Sequence, residues 1–331
     1  MANILVTGGA GFLGAHLARN LVSVGHRVTA IDDLSGGFMD NVDSRCKFIK
    51  ADVSDHKKIT MIFQKHKFEY IFHLAAYAAE GLSHFIKRFN YINNLIGSVN
   101  LINEAVKNNV KCFVFTSSAA VYGNNPAPMC ENMVPCPEDS YGIAKHAVEA
   151  ELEISRRMFG LPYIIFRPHN VYGEYQNIGD KYRNVIGIFM NQLMQDKPMT
   201  VFGDGNQTRA FSYISDVIPA IAGSITMPEM YNQIFNIGGD KVYTINQLAD
   251  AAAKAFNTRA VIKNFPARNE VRHVFCDHSK IRKFFPVEQT VLLEEGIRKM
   301  ADWAKKVGAR RSKVFKCIEI KKNLPTSWKN T

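Results

Sequence analysis

The sequence predicts an α/β protein: a doubly wound parallel sheet followed by a smaller C-terminal α/β lobe. Three observations carry that expectation. Short β-branched and aromatic runs alternate with helical patterns through the first half of the chain. A glycine-rich turn lies directly between the first such run and the first helix. After Pro168 the alternation loosens and turn signals such as Gly203-Asp204-Gly205 and Gly238-Gly239-Asp240 multiply.

Taken in order, strand-like runs fall at Ile4–Thr7, Val28–Ile31, Phe48–Ile49, Tyr70–Phe72, Cys112–Thr116 and Tyr163–Phe166. Helical patterns fall between them at Phe12–Val24, Lys57–His66, Tyr91–Lys107 and Tyr141–Phe159. Strands joined through helices are parallel and covered on both faces, and right-handed crossovers wind them in two directions. Residues 1–170 are expected to form this unit, with a later strand near 233–238 returning to it. Residues 171–331 are expected to form the second lobe, with helices at Ile245–Phe256 and Leu292–Val307.

Composition narrows the class. Of the 331 residues 47% are hydrophobic and 21% charged, which excludes disorder, collagen and coiled coil as descriptions of the whole chain. The start, MANILVTGGAG, lacks the basic and apolar regions of a signal peptide, and no run approaches the roughly 18 apolar residues of a membrane span. The net charge of +11 is concentrated at the end, where residues 301–331 carry nine Lys/Arg against Asp302 and Glu319. This basic tail reads as a solvated surface segment, or as a weak attractor for acidic membranes or RNA; Phe315, Ile318, Ile320 and Trp328 suggest that it packs on the body. No groove-reading motif supports nucleic-acid binding. Cysteines 46, 112, 130, 136, 276 and 317 form no CxxC pair and have no His cluster beside them, so metal ligation and a disulfide framework are not expected, and a reducing, cytoplasmic setting is.

Gly8-x-x-Gly11-x-x-Gly14 opens the first helix directly after the first strand. In this Rossmann context a side chain at Gly8 or Gly11 would block the turn or the approach of a pyrophosphate, and Gly14 permits close helix packing. Phe12 and Leu13 then supply N–H groups at the helix start, where an anion is favoured. Asp32 and Asp33 end the second strand, where a carboxylate accepts from ribose hydroxyls and repels a 2′-phosphate; the expected cofactor is NAD. Asp52 and Val53, after the third strand, stand where the adenine would lie, although Asp52 could also cap the next helix. Tyr141 and Lys145 are four apart, on one helix face. The run Thr116-Ser117-Ser118-Ala119-Ala120-Val121-Tyr122-Gly123 sits at the carboxyl edge of a central strand, where open α/β sheets bind ligands.

Together with His73-Leu74-Ala75-Ala76, Asn94-Leu95-Ile96-Gly97, Arg167-Pro168-His169-Asn170-Val171-Tyr172-Gly173 and Gly203-Asp204-Gly205-x-x-x-Arg209, these motifs resemble the extended short-chain dehydrogenase/reductase family. They resemble most its nucleotide-sugar epimerases of the UDP-galactose (UDP-glucose) 4-epimerase kind. The resemblance implies that Ser118, Tyr141 and Lys145 are catalytic. It adds Leu74, Ala75, Ala76, Asn94, Thr116 and His169 to the NAD site, and it assigns Asn170, Asn184, Thr200, Phe202, Arg209 and Arg268, with Ser118 and Tyr141, to a UDP-sugar. In that scheme Lys145 and the nicotinamide positive charge lower the pKa of Tyr141, the phenolate takes the 4-hydroxyl proton, carbon 4 is oxidised by NAD, and the 4-keto sugar turns over and is reduced on its other face. Phe202 fits the nucleobase slot; Arg209 and Arg268 fit the diphosphate. Tyr175 and Phe211 read as packing residues.

The family's Lys after the His-x-Ala-Ala stretch is replaced by Ala78. Val274 is small enough to leave room for an N-acetyl group. Ala119 and Ala120 stand where the related dehydratases and decarboxylases place an acid, which favours simple epimerisation; UDP-glucuronate epimerisation and dehydration remain the alternatives. The resemblance also implies a homodimer through Tyr91–Lys107 and Tyr141–Phe159.

Overall fold

The computed structural model describes residues 1–268, 270–286, 290–311, 315 and 317–329. Seven strands form one sheet. Six of them are β1 (Asn3–Thr7), β2 (Arg27–Asp32), β3 (Lys47–Lys50), β4 (Tyr70–His73), β5 (Cys112–Thr116) and β6 (Tyr163–Pro168), and the seventh is Gln233–Ile237. Their order is Gln233–Ile237, β6, β5, β4, β1, β2, β3, and every pair is parallel. The chain winds outward in both directions from β1 and β4, so their carboxyl ends leave a crevice at the point where the order reverses.

The strands are apolar throughout because both faces are covered. Ile4, Val6, Val114, Ile164 and Phe166 face one layer, which includes Leu17 and Leu21 of α1 (Phe12–Ser23) and Val217 and Ile221 of the helix Ile214–Gly223. Leu5, Ile71, Phe113 and Ile165 face the other. That layer holds Ile59 and Ile62 of α2 (His56–Lys65) and, further along the chain, Leu101 and Leu152 of two longer helices. The alternation of Ile4 and Val6 against Leu5 is the strand's two-residue period read in three dimensions.

The connection after β4 holds the short α3 (Glu80–Ser83), α4 (Lys87–Tyr91), a π-helical turn at Ile92–Ile96, and α5 (Gly97–Lys107). The expected helix at 91–107 therefore begins four residues earlier and contains a π turn. Next comes α6 (Ser140–Phe159), capped at its start by Asp139, whose carboxylate accepts from Gly142 N at 2.8 Å.

In the second half, Ile245–Ala255 and Leu293–Val307 are helical as the pattern predicts. Two helices there escape the periodicity. Val185–Leu193 is apolar on nearly every face, and Ile214–Gly223 contains Pro219, which reads as a breaker. Small sheets pair Met199–Phe202 with Ile262–Phe265, and Thr208–Ala210 with Val242–Thr244 and His273–Val274. No helix among the described residues is long and apolar enough to cross a membrane. The described cysteines are all free, and no group of three His, Cys, Asp or Glu that could hold a metal occurs among the described residues.

Candidate active site

A cleft of about 1190 Å³ runs along the carboxyl edge of the sheet and between the two halves of the chain. Its first end is the glycine turn. Gly8 has φ +70°, and a Cβ there would lie 2.9 Å from Ala75 N; a Cβ on Gly14 would lie 2.1 Å from Gly8 O. Only glycine lets β1, the loop and α1 approach so closely. The helix starts at Gly11 with no side-chain cap and no acidic residue in its first turn, so its N–H groups and partial positive charge face the cleft. Asp32 closes this end. Its Oδ2 accepts from Ala10 N at 3.1 Å and its Oδ1 from Leu34 N at 2.8 Å, while burial raises its pKa against those bonds. Phe12, Leu13, Asp33, Asp52, Val53, Leu74, Ala75 and Ala76 line the same end. An uncapped helix start over a cradle that a Cβ would fill suits a dinucleotide pyrophosphate.

Asn94 is the expected cofactor residue that the cleft does not reach. It is 1% exposed, and its amide is spent inside the protein: Oδ1 accepts from Tyr77 N at 2.8 Å, and Nδ2 donates to Tyr77 O at 3.1 Å and to Asn90 Oδ1 at 2.7 Å. It fixes the wall from behind, and a buried chain of hydrogen bonds fixes it in turn. Leu74 N and Ala75 N both donate to Thr7 Oγ1, so the Thr7 proton goes to His73 Nδ1, 2.7 Å away. His73 Nε2–H then donates to Ser98 Oγ at 2.7 Å, and Ser98 donates to Asn94 O at 2.7 Å. Burial pushes the His73 pKa down to about 3, so the ring is neutral, as this ordering requires.

The catalytic candidates meet midway along the cleft. Thr116, Ser118, Tyr141 and Lys145 all line it. Ser118 comes from the end of β5 and the other pair from the first turns of α6, with Tyr141 5% and Lys145 3% exposed. Tyr141 shares a hydrogen bond with Ser118. Lys145 Nζ donates to Thr116 O at 2.7 Å and lies 4.6 Å from the Phe115 ring centre and 5.8 Å from that of Tyr141. Burial lowers the Lys145 pKa to about 7, opposed by the Glu149 carboxylate. The protein's own groups raise the Tyr141 phenol, and the expected lowering rests on the nicotinamide charge as well as on Lys145. Burial and then Glu80 raise the phenol, Asp139 adds to that, and Ser118 and Arg183 oppose it. The Lys145 ammonium is aimed at Thr116 O, and its own charge is penalised by burial. The Thr116 hydroxyl is buried without a partner among the described residues, and Thr116 lines the cleft beside them, which is how a group that hydrogen-bonds a ligand would stand.

Beneath this trio lies a charged buttress. Arg167, 2% exposed, donates Nε to Glu149 Oε1 at 2.9 Å and Nη2 to Oε2 at 2.5 Å, and stacks 4.7 Å over Tyr122, whose hydroxyl donates to Asn236 Oδ1 at 2.7 Å. Burial opposes ionisation of Glu149, but Arg167 and His146 hold it below the usual carboxylate range. The buttress ties α6, β6 and the added strand Gln233–Ile237 together under Lys145.

The far end holds His169, Asn170, Asn184, Thr200, Phe202, Arg209 and Arg268. Asn170 and Asn184 adopt positive φ, 40° and 62°, which Asn tolerates. Thr200 exchanges hydrogen bonds with the Gln192 side chain. Arg209 reaches the carbonyls of Thr208, Val271 and Arg272 at 2.7–2.9 Å, and Arg268 lies 3.5 Å from Glu270 Oε2. The Phe202 ring, expected to face a base, carries the Arg268 guanidinium 3.9 Å from its centre. Phe211 is both core and cleft wall, and Tyr175 is a packing residue between His16 and Trp303.

Sequence reasoning missed three parts. Glu80 lines the cleft between the catalytic trio and the arginines; as a lone acid in an Ala-rich loop it gave no pattern. His169 Nε2 meets His278 Nε2, 109 positions away, at 2.9 Å, and His278 Nδ1 meets Oδ1 of the exposed Asp240 at 2.7 Å, a line from the cleft to the surface. The third part is the C-terminal segment. Glu319 accepts from Arg88 N and Phe89 N at 2.9 Å, and Trp328 and Leu324 are buried against Ala79, Leu82 and Tyr182. Ile320 and residues 322–328 thereby wall the cleft, and the Trp328 ring lies 5.7 Å from the Arg268 guanidinium. Phe315 and Ile318 pack there as expected, Ile320 stays 40% exposed, and Lys313 and Lys316 of the basic tail lie outside the described residues.

The profile of the NAD dependent epimerase/dehydratase family matches residues 4–238. The chain is 33% identical over 309 residues to the UDP-glucose 4-epimerase of Mycolicibacterium smegmatis, covering 90% of this chain and 97% of that one. Among solved structures it resembles the Thermotoga maritima UDP-glucose 4-epimerase with UDP-glucose, at 34% identity and TM-score 0.86, covering 92% of this chain and 99% of that one. It also resembles the UDP-N-acetylglucosamine 4-epimerase of Methanobrevibacter ruminantium in complex with UDP-N-acetylmuramic acid, at 30% identity and TM-score 0.84, covering 91% and 97%.

Proposed function

The chain belongs to the NAD-dependent epimerase/dehydratase family, and on that premise we propose that it inverts carbon 4 of a UDP-hexose through a transient 4-keto sugar. The observation that carries this reading is the convergence of Ser118, Tyr141 and Lys145 on one cleft that also holds the glycine cradle and the two arginines. NAD, when bound, supplies the acceptor for the carbon 4 hydride and gives it back, so no second redox substrate is needed.

The protein's own groups handle the proton and the geometry. Tyr141 Oη takes the proton of the 4-hydroxyl and returns it after inversion. Ser118 hydrogen-bonds the same oxygen and steadies the phenol. Lys145, held on Thr116 O, would bind the ribose hydroxyls of the cofactor. Asp32 takes the adenosine ribose and disfavours a 2′-phosphate. Arg209 and Arg268 grip the diphosphate, with Asn170, Asn184 and Thr200 around the sugar and uridine. The small Val274 wall, next to Met129 in the apolar cluster, also accommodates an acetamido group. Ala119 and Ala120 offer no acid between Ser118 and Tyr122, so the cleft lacks the extra proton-transfer group that dehydration needs at that place.

The test is Tyr141→Phe. Loss of turnover by about a thousandfold or more with NAD still bound supports the assignment; full activity overturns it. The chain is further proposed to act as a cytoplasmic homodimer. Ile92 and Ile96 before α5 and Ile143 on α6 are 40–47% exposed on two helical segments packed side by side, an apolar surface suited to a second copy. Sedimentation of a monomer alone at micromolar concentration would refute the pairing.

A further inference from the structure

Between the catalytic trio and the two arginines the cleft wall carries one carboxylate that the epimerase chemistry does not use. Glu80 opens α3 deep between the walls of the cleft, and its side chain meets solvent through the cleft that Ser118 and Tyr141 also line. Its neighbour Gly81 fixes its place from the other side: a Cβ there would lie 3.5 Å from the Trp328 ring and 3.6 Å from Arg268 Nη1. Glu80 thus stands on the span between the reacting hydroxyl and the diphosphate, where the hexose ring must lie.

Its carboxylate has no hydrogen bond and no ion pair among the described residues. The cations around it pair or hydrogen-bond elsewhere, although the charges of Arg209 and Arg268 also reach Glu80 and oppose the rise of its pKa. Arg183 donates Nε to Asp180 Oδ2 at 2.8 Å and stacks 4.7 Å over Tyr77. Arg209 and Arg268 lean toward Glu270. His84, one turn on, acts on Asp139. Asp139 itself adds a second negative charge on the same wall and, after burial, is the largest cause pushing the Glu80 carboxyl up to about 7.

We propose that Glu80 sets the charge class of the sugar: the cleft takes hexoses that carry no carboxylate, hydrogen-bonding their hydroxyls or an amino or acetamido group, and disfavours a uronic acid. A uronate would place its charge against Glu80 and Asp139 in a cleft where water screens only in part. This inference rests on the UDP-hexose reading above and deepens it.

The test uses NAD-loaded full-length protein at pH 8.5, where the carboxylate is ionised. Binding of UDP-glucose, UDP-N-acetylglucosamine and UDP-glucuronate is followed by calorimetry, and turnover of each is followed separately, in the wild type and in Glu80→Gln. The expected result is wild-type affinity for UDP-glucose about tenfold or more above that for UDP-glucuronate, with the gap narrowing in Glu80→Gln because the uronate gains relative to the neutral sugars. Equal changes for every sugar would make Glu80 a structural residue and overturn the proposal, as would an unchanged gap or a wild type that prefers the uronate. Selective binding without turnover upholds the charge rule and refutes the epimerase reading. Turnover that favours the uronate does the reverse, and absence of binding by all three sugars refutes both.

Discussion

At the residue scale the site depends on how buried charges are disposed. Arg167 and Glu149 form a bidentate pair at 2% and 4% exposure beneath the catalytic helix. Removing one charge leaves the other buried and unmatched, so Glu149→Gln should destabilise the fold by about 3–5 kcal/mol, read as a shifted urea midpoint. An unchanged midpoint would show that the pair is dispensable. The phenol gives a prediction in pH. Glu80 raises the Tyr141 pKa by like-charge repulsion, after burial and ahead of Asp139, while Ser118 and Arg183 oppose it. Removing that charge lowers the Tyr141 pKa, so the base form persists to lower pH. The acidic limb of the kcat/KM profile should therefore move to lower pH in Glu80→Gln. A limb that stays or moves upward would contradict the electrostatics described for this cleft.

At the element scale, what was legible in the sequence follows from locality. The glycine turn, the Tyr141–Lys145 pair and the Thr116–Gly123 edge are each set by a few neighbouring residues, and the cleft holds every expected site residue except Asn94. Asn94 lies behind the cleft wall because a side chain's direction depends on the π turn around it, which no residue pattern announces. The helix Val185–Leu193 was hidden by its apolar faces and Ile214–Gly223 by its proline. The C-terminal wall was only half visible. Apolar residues hinted that the tail packs, but its target, the rim of the cleft, is set by contacts such as Glu319 with Arg88 and Phe89, more than 200 residues away. That wall makes its own prediction. Trp328 stands beside Arg268, so Trp328→Ala should raise the KM for the UDP-sugar about tenfold while leaving bound NAD unchanged. An unaltered KM would make the segment a bystander.

At the scale of the whole molecule, the sheet and the second half of the chain together line one continuous cleft, which holds the glycine turn proposed to cradle the cofactor, the guanidinium pair proposed to grip the substrate and the trio proposed to transfer the proton. That arrangement suits oxidation and reduction within a single closed cycle, with carbon 4 giving up its hydrogen and receiving the same one back. The position of each part follows from the doubly wound order: the cradle comes from β1, the trio from β5 and α6, and the substrate grip from segments that follow β6. The direct measurement is turnover of UDP-glucose carrying deuterium at carbon 4, with the NAD-loaded protein and no added reductant. The account predicts a 4-epimer that keeps its deuterium at carbon 4; loss of the label to solvent, or no epimer at all, would contradict it.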